Sequence, residues 1–386
     1  MNLNKVINLL NAFPLRKFCA KQNFDLSNLL NNSVPDILHD DIIEDKKNIK
    51  DLYINRAKNR DQSSFAFRPN VDPIQTSIIL FPDYAKQKLK ISYKYFDIQN
   101  VKNMFEQANE ILNFDIKNFC LHYYQSDTDN LVNLHCALFL ISLAEIEILN
   151  AENSEVINNC VATTGLNLGE YASLVFSGAL NFEYALQLIK IRAEEIEKLS
   201  SKVLSGMLTV MLSAKSNLNQ AIIESKEHCL GKGIENPICT IANYLFPQCK
   251  ILSGHNEALR YIEINHKNYD IIKCKKLPIN FALNSKILSP ILPILSVALN
   301  QVDIQIPLIP VYSNVTGHRY KSADQIKKLL CQQLVKPVKW EQTLHVMYER
   351  PQNTNFPITY ECGPGDLLGP ILKLNNRKAF ENYRRV

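Results

Sequence analysis

Glycine is scarce in this chain. Only 11 occur among 386 residues, and none precedes Gly165. That is under half of the usual ~7%, so each glycine that remains is more informative about backbone geometry. The ten cysteines are scattered, with no C-x-x-C pair. Their spacing supports neither a disulfide framework nor a zinc site, and reduced, mostly buried thiols in a reducing compartment fit best. No apolar run approaches the ~18 residues of a membrane span, so no transmembrane segment is expected. The excess of 43 Lys+Arg over 38 Asp+Glu is small and spread out, which gives no footprint for nucleic acid. No His/Cys/carboxylate spacing indicates a metal, and no motif indicates a cofactor.

What is present is enough apolar material, 46%, for a large core. Residues 1–24 carry Lys5, Arg16, Lys17 and Lys21 and no acid, around the apolar stretch Val6-Ile7-Asn8-Leu9-Leu10. This predicts a mitochondrial presequence, with a plain basic tail as the alternative. Residues 25–72 are polar and acidic and read as a linker. A buried strand is expected at 77–82, stopped by Pro82. Helical periodicity follows over 101–113 and 131–150. A β-rich run over 156–164 ends at Gly165, with helices from about 168 and over 182–200. Strand, tight turn and helix in succession predict an α/β fold with a central, mostly parallel sheet, as in hydrolases. Residues 206–276 read β-α-β-β-α-β, which predicts a small inserted ferredoxin-like α+β domain. The large domain is then 73–205 plus 277–386. In its second part we expect a helix over 285–302, a strand over 309–313, helices over 323–334 and 340–350, and a strand over 358–361 leading into Gly363-Pro364-Gly365.

Gly165-Leu166-Asn167-Leu168-Gly169 has the frame of a nucleophile elbow, G-x-S-x-G, without its serine. The segment GLNLGEYASLVFSGALNFEYALQLIKIRAEEIEKLS resembles the core of malonyl-CoA:acyl-carrier-protein transacylases, nearest their mitochondrial branch. The resemblance continues through KLPINFALNSKILSPIL, VYSNVTGHRY, QQLVKPVKWEQTLHVMYER and YECGPGDLLGPILK, and covers about 77–386. It implies transfer of malonyl from coenzyme A to a serine and then to the carrier protein's thiol. In that family a histidine accepts the serine's proton, backbone N–H groups hold the oxyanion, and an arginine pairs with the malonyl carboxylate. It implies no cofactor, and its partners are an acyl carrier protein and malonyl-CoA or a related acyl thioester.

Carried over residue by residue, the nucleophile position is Asn167 and the base position is Asn284. An amide has no hydroxyl to deprotonate and is neutral near pH 7. Asn167 suits an unusual backbone angle, and Asn284 suits the start of a helix. The Gly-Gln-Gly loop expected after Phe-Pro is replaced by Asp83-Tyr84-Ala85. Tyr84 becomes a substrate-side candidate, and the Asp83 charge disfavours an oxyanion. Leu168 supplies the backbone position after the nucleophile. Arg192 stands at the carboxylate-binding position and can make a bidentate pair; the bland alternative is an ordinary ion pair. His135 replaces a common glutamine, with Cys136 beside it. Adjacent helical residues diverge, so a substitute dyad is not expected. Asn314 matches the segment whose backbone orients the base. Glu170 is retained, and His318 is not assigned a catalytic role. Lys190, Arg319, Lys336 and Lys339 are candidates for meeting an acidic carrier protein.

These residues predict a family member impaired or inactive in catalysis and kept for binding or regulation, in the mitochondrial matrix. The alternative is an active S-malonyltransferase with a non-standard site. A lipase- or patatin-like hydrolase shares only the elbow and needs the same missing serine.

Overall fold

The structure, a computed structural model, describes residues 71–83, 89–123 and 130–386. The expected leader, nearly all of the linker, and Tyr84 lie outside the described residues.

The chain enters the fold at β1 (Ser77–Phe81), which is buried along its whole length. A strand covered on both faces has no polar side to show, hence the unbroken Ile-Ile-Leu-Phe run. Helices α1 (Gln99–Leu112), α2 (Ile116–His122) and α3 (Leu131–Glu152) follow, with one further helical turn, α4 (Ser154–Asn158). They lead into β2 (Cys160–Gly165), α5 (Gly169–Phe176) and α6 (Phe182–Ser200). By length and composition α3 qualifies as a membrane span, which the sequence reading did not anticipate. Most of it, however, is buried inside the protein. It is a core helix packed against α6, α5, α1 and α2.

The second sheet comprises β3 (Ser205–Leu212), β4 (Cys239–Phe246), β5 (Cys249–His255) and β6 (Ile271–Lys276), with α7 (Leu218–Gly231) and α8 (Asn256–Asn265) between them. Its pairs are antiparallel and its order is β4-β5-β3-β6, the ferredoxin-like arrangement. Leu208, Val210, Leu252 and Ile271 pack against Leu218, Ala221, Leu259 and Ile262.

The chain then returns through α9 (Leu292–Gln301), α10 (Ala323–Gln333) and α11 (Trp340–Tyr348) to β7 (Ile358–Glu361). It ends in α12 (Leu368–Asn375), α13 (Arg377–Glu381) and β8 (Tyr383–Arg385). The first sheet has the order β2-β1-β7-β8, and every pair in it is parallel. Trp340 is fully buried between the sheets, in one cluster with Ile78, Leu80 and Ala162 of the first and Leu245 and Phe246 of the second.

Three elements differ from the sequence reading. The β-rich run 156–164 starts as α4, because Asn153 caps it by accepting the Glu155 N–H at 3.2 Å. The helix expected over 285–302 is split. Pro290 lies in a 3₁₀ segment, Lys286–Ile291, and α9 starts with a proline in its first turn. The strand expected over 309–313 is reduced to bridges, Thr163 with Val311 and Tyr312 with Arg319. Pro310 accepts from the Thr163 N–H at 3.0 Å but has no N–H to give.

Candidate functional site

The site is built where β2 turns into α5. Gly165 and Gly169 bracket a turn too close for side chains. A Cβ on Gly165 would lie 1.9 Å from the Gly169 carbonyl carbon, and one on Gly169 would lie 2.4 Å from the Phe81 oxygen. Asn167 stands at the summit in left-handed backbone, φ 46°. The N–H groups of Gly169, Glu170 and Tyr171 bond back to the carbonyls of 166, 167 and 168. Leu168, itself buried, precedes that set at the helix N-terminus.

Asn167 is almost completely enclosed. Its side-chain nitrogen donates to Asp83 Oδ2 at 2.8 Å, and its backbone N–H donates to Asn314 Oδ1 at 2.7 Å. Its carbonyl accepts from Gln333 Nε2 at 2.8 Å. Asn284 is also buried and also left-handed, φ 56°. Its Nδ2 donates to the Gln333 carbonyl at 2.7 Å. One buried glutamine therefore ties the two asparagines together. Because each amide nitrogen already has a carbonyl or carboxylate acceptor, the side-chain oxygens are the ends left over, without a partner among the described residues.

Glu170 supports this arrangement from below. It accepts from the Tyr320 hydroxyl at 2.6 Å, the Asn314 N–H at 3.1 Å and Gln333 Nε2 at 2.5 Å. Burial pushes its carboxyl up to about 7, while these hydrogen bonds pull the other way. The Asn314 side chain donates to Gly165 O at 2.6 Å. Asn314 matches the family segment that orients the base, and here it braces the elbow, while the Asn284 side chain bonds to the Gln333 carbonyl.

Arg192, on α6, is 1% exposed. None of its three side-chain nitrogens has a hydrogen-bond partner among the described residues, so the ordinary ion pair weighed from sequence is not seen. Burial lowers its pKa; the nearby Tyr171 hydroxyl and Asp83 carboxyl oppose that. His135, on α3, is buried edge-on to Phe281 with ring centroids 6.5 Å apart. Burial first, then the Arg192 charge, holds its pKa well below the usual range, so the ring is neutral. Burial raises Tyr171 to about 12, and Arg192 partly offsets that. Cys136 does not join His135. Its charged neighbours are Lys190 and Glu194, and burial pushes its thiol far up, so it is no thiolate nucleophile.

Arg192, His135, Asp83, Asn167, Asn284 and Asn314 are thus linked through one buried neighbourhood. Sequence reasoning missed Gln333, Tyr171 and Tyr320. Only the polar pair Gln332-Gln333 ahead of an apolar turn signalled the first. Arg192 is the cation of this neighbourhood, and the two amide oxygens left over by Asn167 and Asn284 lie in it. Among the described residues no group of three or more His, Cys, Asp or Glu side chains is placed to hold a metal ion.

No protein-family model matches the chain. It is 43% identical over 314 residues to the malonyl-CoA-acyl carrier protein transacylase, mitochondrial, of Homo sapiens, spanning 81% of this chain and 80% of that protein. The malonyl CoA-acyl carrier protein transacylase structure from Coxiella burnetii shares the fold, with TM-score 0.71 and 22% identity over 82% of this chain and 95% of that one. So does one chain of the structure of a type II PKS acyl-carrier protein in complex with its malonyl-transacylase, with TM-score 0.68 and 20% identity over 80% of this chain and 94% of that one.

Proposed function

Since this chain belongs to the malonyl-CoA-acyl carrier protein transacylase family, we propose that it is a member without covalent catalysis that keeps a place for a malonyl thioester. The observation that carries this reading is the pair of buried asparagines. The nucleophile position offers an amide whose nitrogen is held by Asp83, and the base position an amide held by Gln333. Neither atom can form an acyl ester or accept a proton at neutral pH. Loss of one such group costs on the order of 10⁶-fold in related chemistry, and the losses do not add. Once Asn167 is in place, Asn284 and Asp83 carry little further penalty.

Binding is supported by Arg192. A buried guanidinium with no hydrogen-bond partner among the described residues is costly and suits a ligand that brings its own carboxylate. An acyl carrier protein is the proposed macromolecular partner, and mitochondrial fatty-acid synthesis, in the matrix, the proposed setting. The human relative's name and the acid-free basic leader support that placement.

The test incubates purified protein with malonyl-CoA and holo carrier protein. We expect no malonyl adduct on the chain by mass spectrometry and no transfer above background. Calorimetry is expected to detect malonyl-CoA binding that Arg192→Ala abolishes. A malonyl adduct passed on to the carrier thiol would establish the active-transferase alternative instead.

A further inference from the structure

A second buried carboxylate lies behind the elbow. Glu145, on α3, accepts the Gly363 N–H at 2.5 Å and the Tyr95 hydroxyl at 3.0 Å. It also takes both terminal nitrogens of Arg385, at 2.7 and 3.0 Å. The same guanidinium donates through Nε to the Gly365 carbonyl. Two residues earlier on β8, the Tyr383 hydroxyl donates to Glu361 at 2.6 Å. Glu361 in turn accepts the N–H groups of Leu367, Leu368 and Gly369 at the start of α12. Tyr383 and Arg385 thus lie on one side of β8 and grip the turn 362–365 through a carboxylate at either end.

That turn backs the segment leading to the site. The Cys362 N–H bonds to Leu80 O at 2.9 Å. Gly363 has φ 141°, and a Cβ there would fall 2.6 Å from Pro82 Cδ and 2.6 Å from Ser142 Oγ. Pro82 is followed by Asp83, the residue that holds the Asn167 amide.

We infer that Arg385 is a positioning residue for the ligand site. It fixes Glu145 and the turn 362–365, and the turn fixes Pro82 and Asp83 against Asn167. A planar guanidinium suits this task because one rigid group serves a carboxylate and a backbone carbonyl together. The Glu145 side chain is only 2% exposed, so losing its cation leaves an uncompensated buried charge. The inference rests on the proposal above that the site takes a malonyl thioester.

The experiment compares the full chain with Arg385→Ala, Arg385→Lys, the double variant Glu145→Gln/Arg385→Ala, and Arg384→Ala. Arg384 is exposed and donates to the Tyr383 carbonyl, so it serves as the control. Hydrogen exchange of segments 77–83 and 362–366 is read by mass spectrometry, and malonyl-CoA affinity by calorimetry. In Arg385→Ala, exchange rises in both segments and affinity falls about tenfold or more, the scale of a small misplacement near a site. The double variant regains part of both, because a glutamine still accepts the Gly363 N–H without a buried charge. Arg385→Lys retains part of both, and Arg384→Ala behaves as wild type. Exchange that rises only within 383–386, with segment 77–83 unchanged, overturns the inference. Wild-type protein that fails to bind malonyl-CoA refutes the proposed function alone, and the exchange pattern still decides the role of Arg385. If Arg385→Ala does not fold, the lysine and double variants carry the comparison.

Discussion

The two asparagines on which the proposed function rests both sit where backbone geometry favours what they are. Asn167 and Asn284 have φ of 46° and 56°, and every described non-glycine residue with positive φ is Asn or Asp. Other side chains cost about 1–2 kcal/mol more in that region. Asn167→Ser and Asn284→His are therefore each expected to lower stability by about 1 kcal/mol, read by denaturant unfolding. Asn284→His alone is expected to give no malonyl adduct, because a base without a nucleophile has no proton to take. The double variant is expected to give a detectable one by mass spectrometry, with Asp83 holding it below the family's usual efficiency. Glu170 sets a pH dependence. Its folded pKa of about 7 lies above the usual carboxylate value, so the folded state binds the proton more tightly than the unfolded chain. Stability is then highest below about pH 4.3, falls as pH rises to about 7, and is flat beyond, a loss of about 4 kcal/mol from this group. Glu170→Gln is expected to flatten that slope, measured as the difference in Tm between pH 5 and pH 8. It also obliges Gln333 to turn its nitrogen away, weakening the bond to Asn167.

Elements determine how those residues meet. The elbow is the most constrained. Gly165→Ala is expected to unfold or severely destabilise the protein, because its Cβ meets Gly169 backbone at 1.9 Å and Glu170 N at 2.4 Å. Neither is a flexible side-chain end. Circular dichroism melts check this, with the remote Gly231→Ala, which meets nothing within 4 Å, as the control. This element was legible from sequence because in a glycine-poor chain two glycines four apart after a β-run have few other uses. The β-α-β-β-α-β succession was legible because its periodicities are clean. The elements that were misread have two local causes. Between residues 153 and 160 a capping asparagine outweighs β propensity. Between 286 and 313 prolines remove backbone donors that neither helix nor ladder can replace. The site itself was half legible. Asn167, Asn284 and Arg192 follow from aligned motifs, whereas Gln333 reaches Asn167 across 166 positions of sequence, a contact that no local pattern encodes. β8 was missed because three residues, two of them arginines, carry no strand signal until Glu145 and Glu361 are seen to receive them.

The whole molecule carries a stability debt at Arg192. The fold encloses a guanidinium with no hydrogen-bond partner among the described residues, and burial works against its protonated form, which Tyr171 and Asp83 oppose only in part. Stability and binding therefore oppose each other here. Arg192→Met keeps the aliphatic contacts along α6 and removes the charge. Replacement of buried ionic groups by apolar ones of similar volume gains about 1–4 kcal/mol in favourable cases. The methionine variant is accordingly expected to melt at a higher temperature than wild type when both are free of ligand. Malonyl-CoA at about one hundred times its dissociation constant is expected to stabilise the wild type by about 2.7 kcal/mol and to leave the variant unchanged. The gap between the two melting curves then narrows as ligand is added, and their order reverses once the ligand's contribution exceeds the variant's gain. A variant that melts below wild type in the absence of ligand would mean that Arg192 is compensated within the fold. An incoming carboxylate would then meet no unmatched charge, since the enclosed guanidinium would no longer ask for a partner.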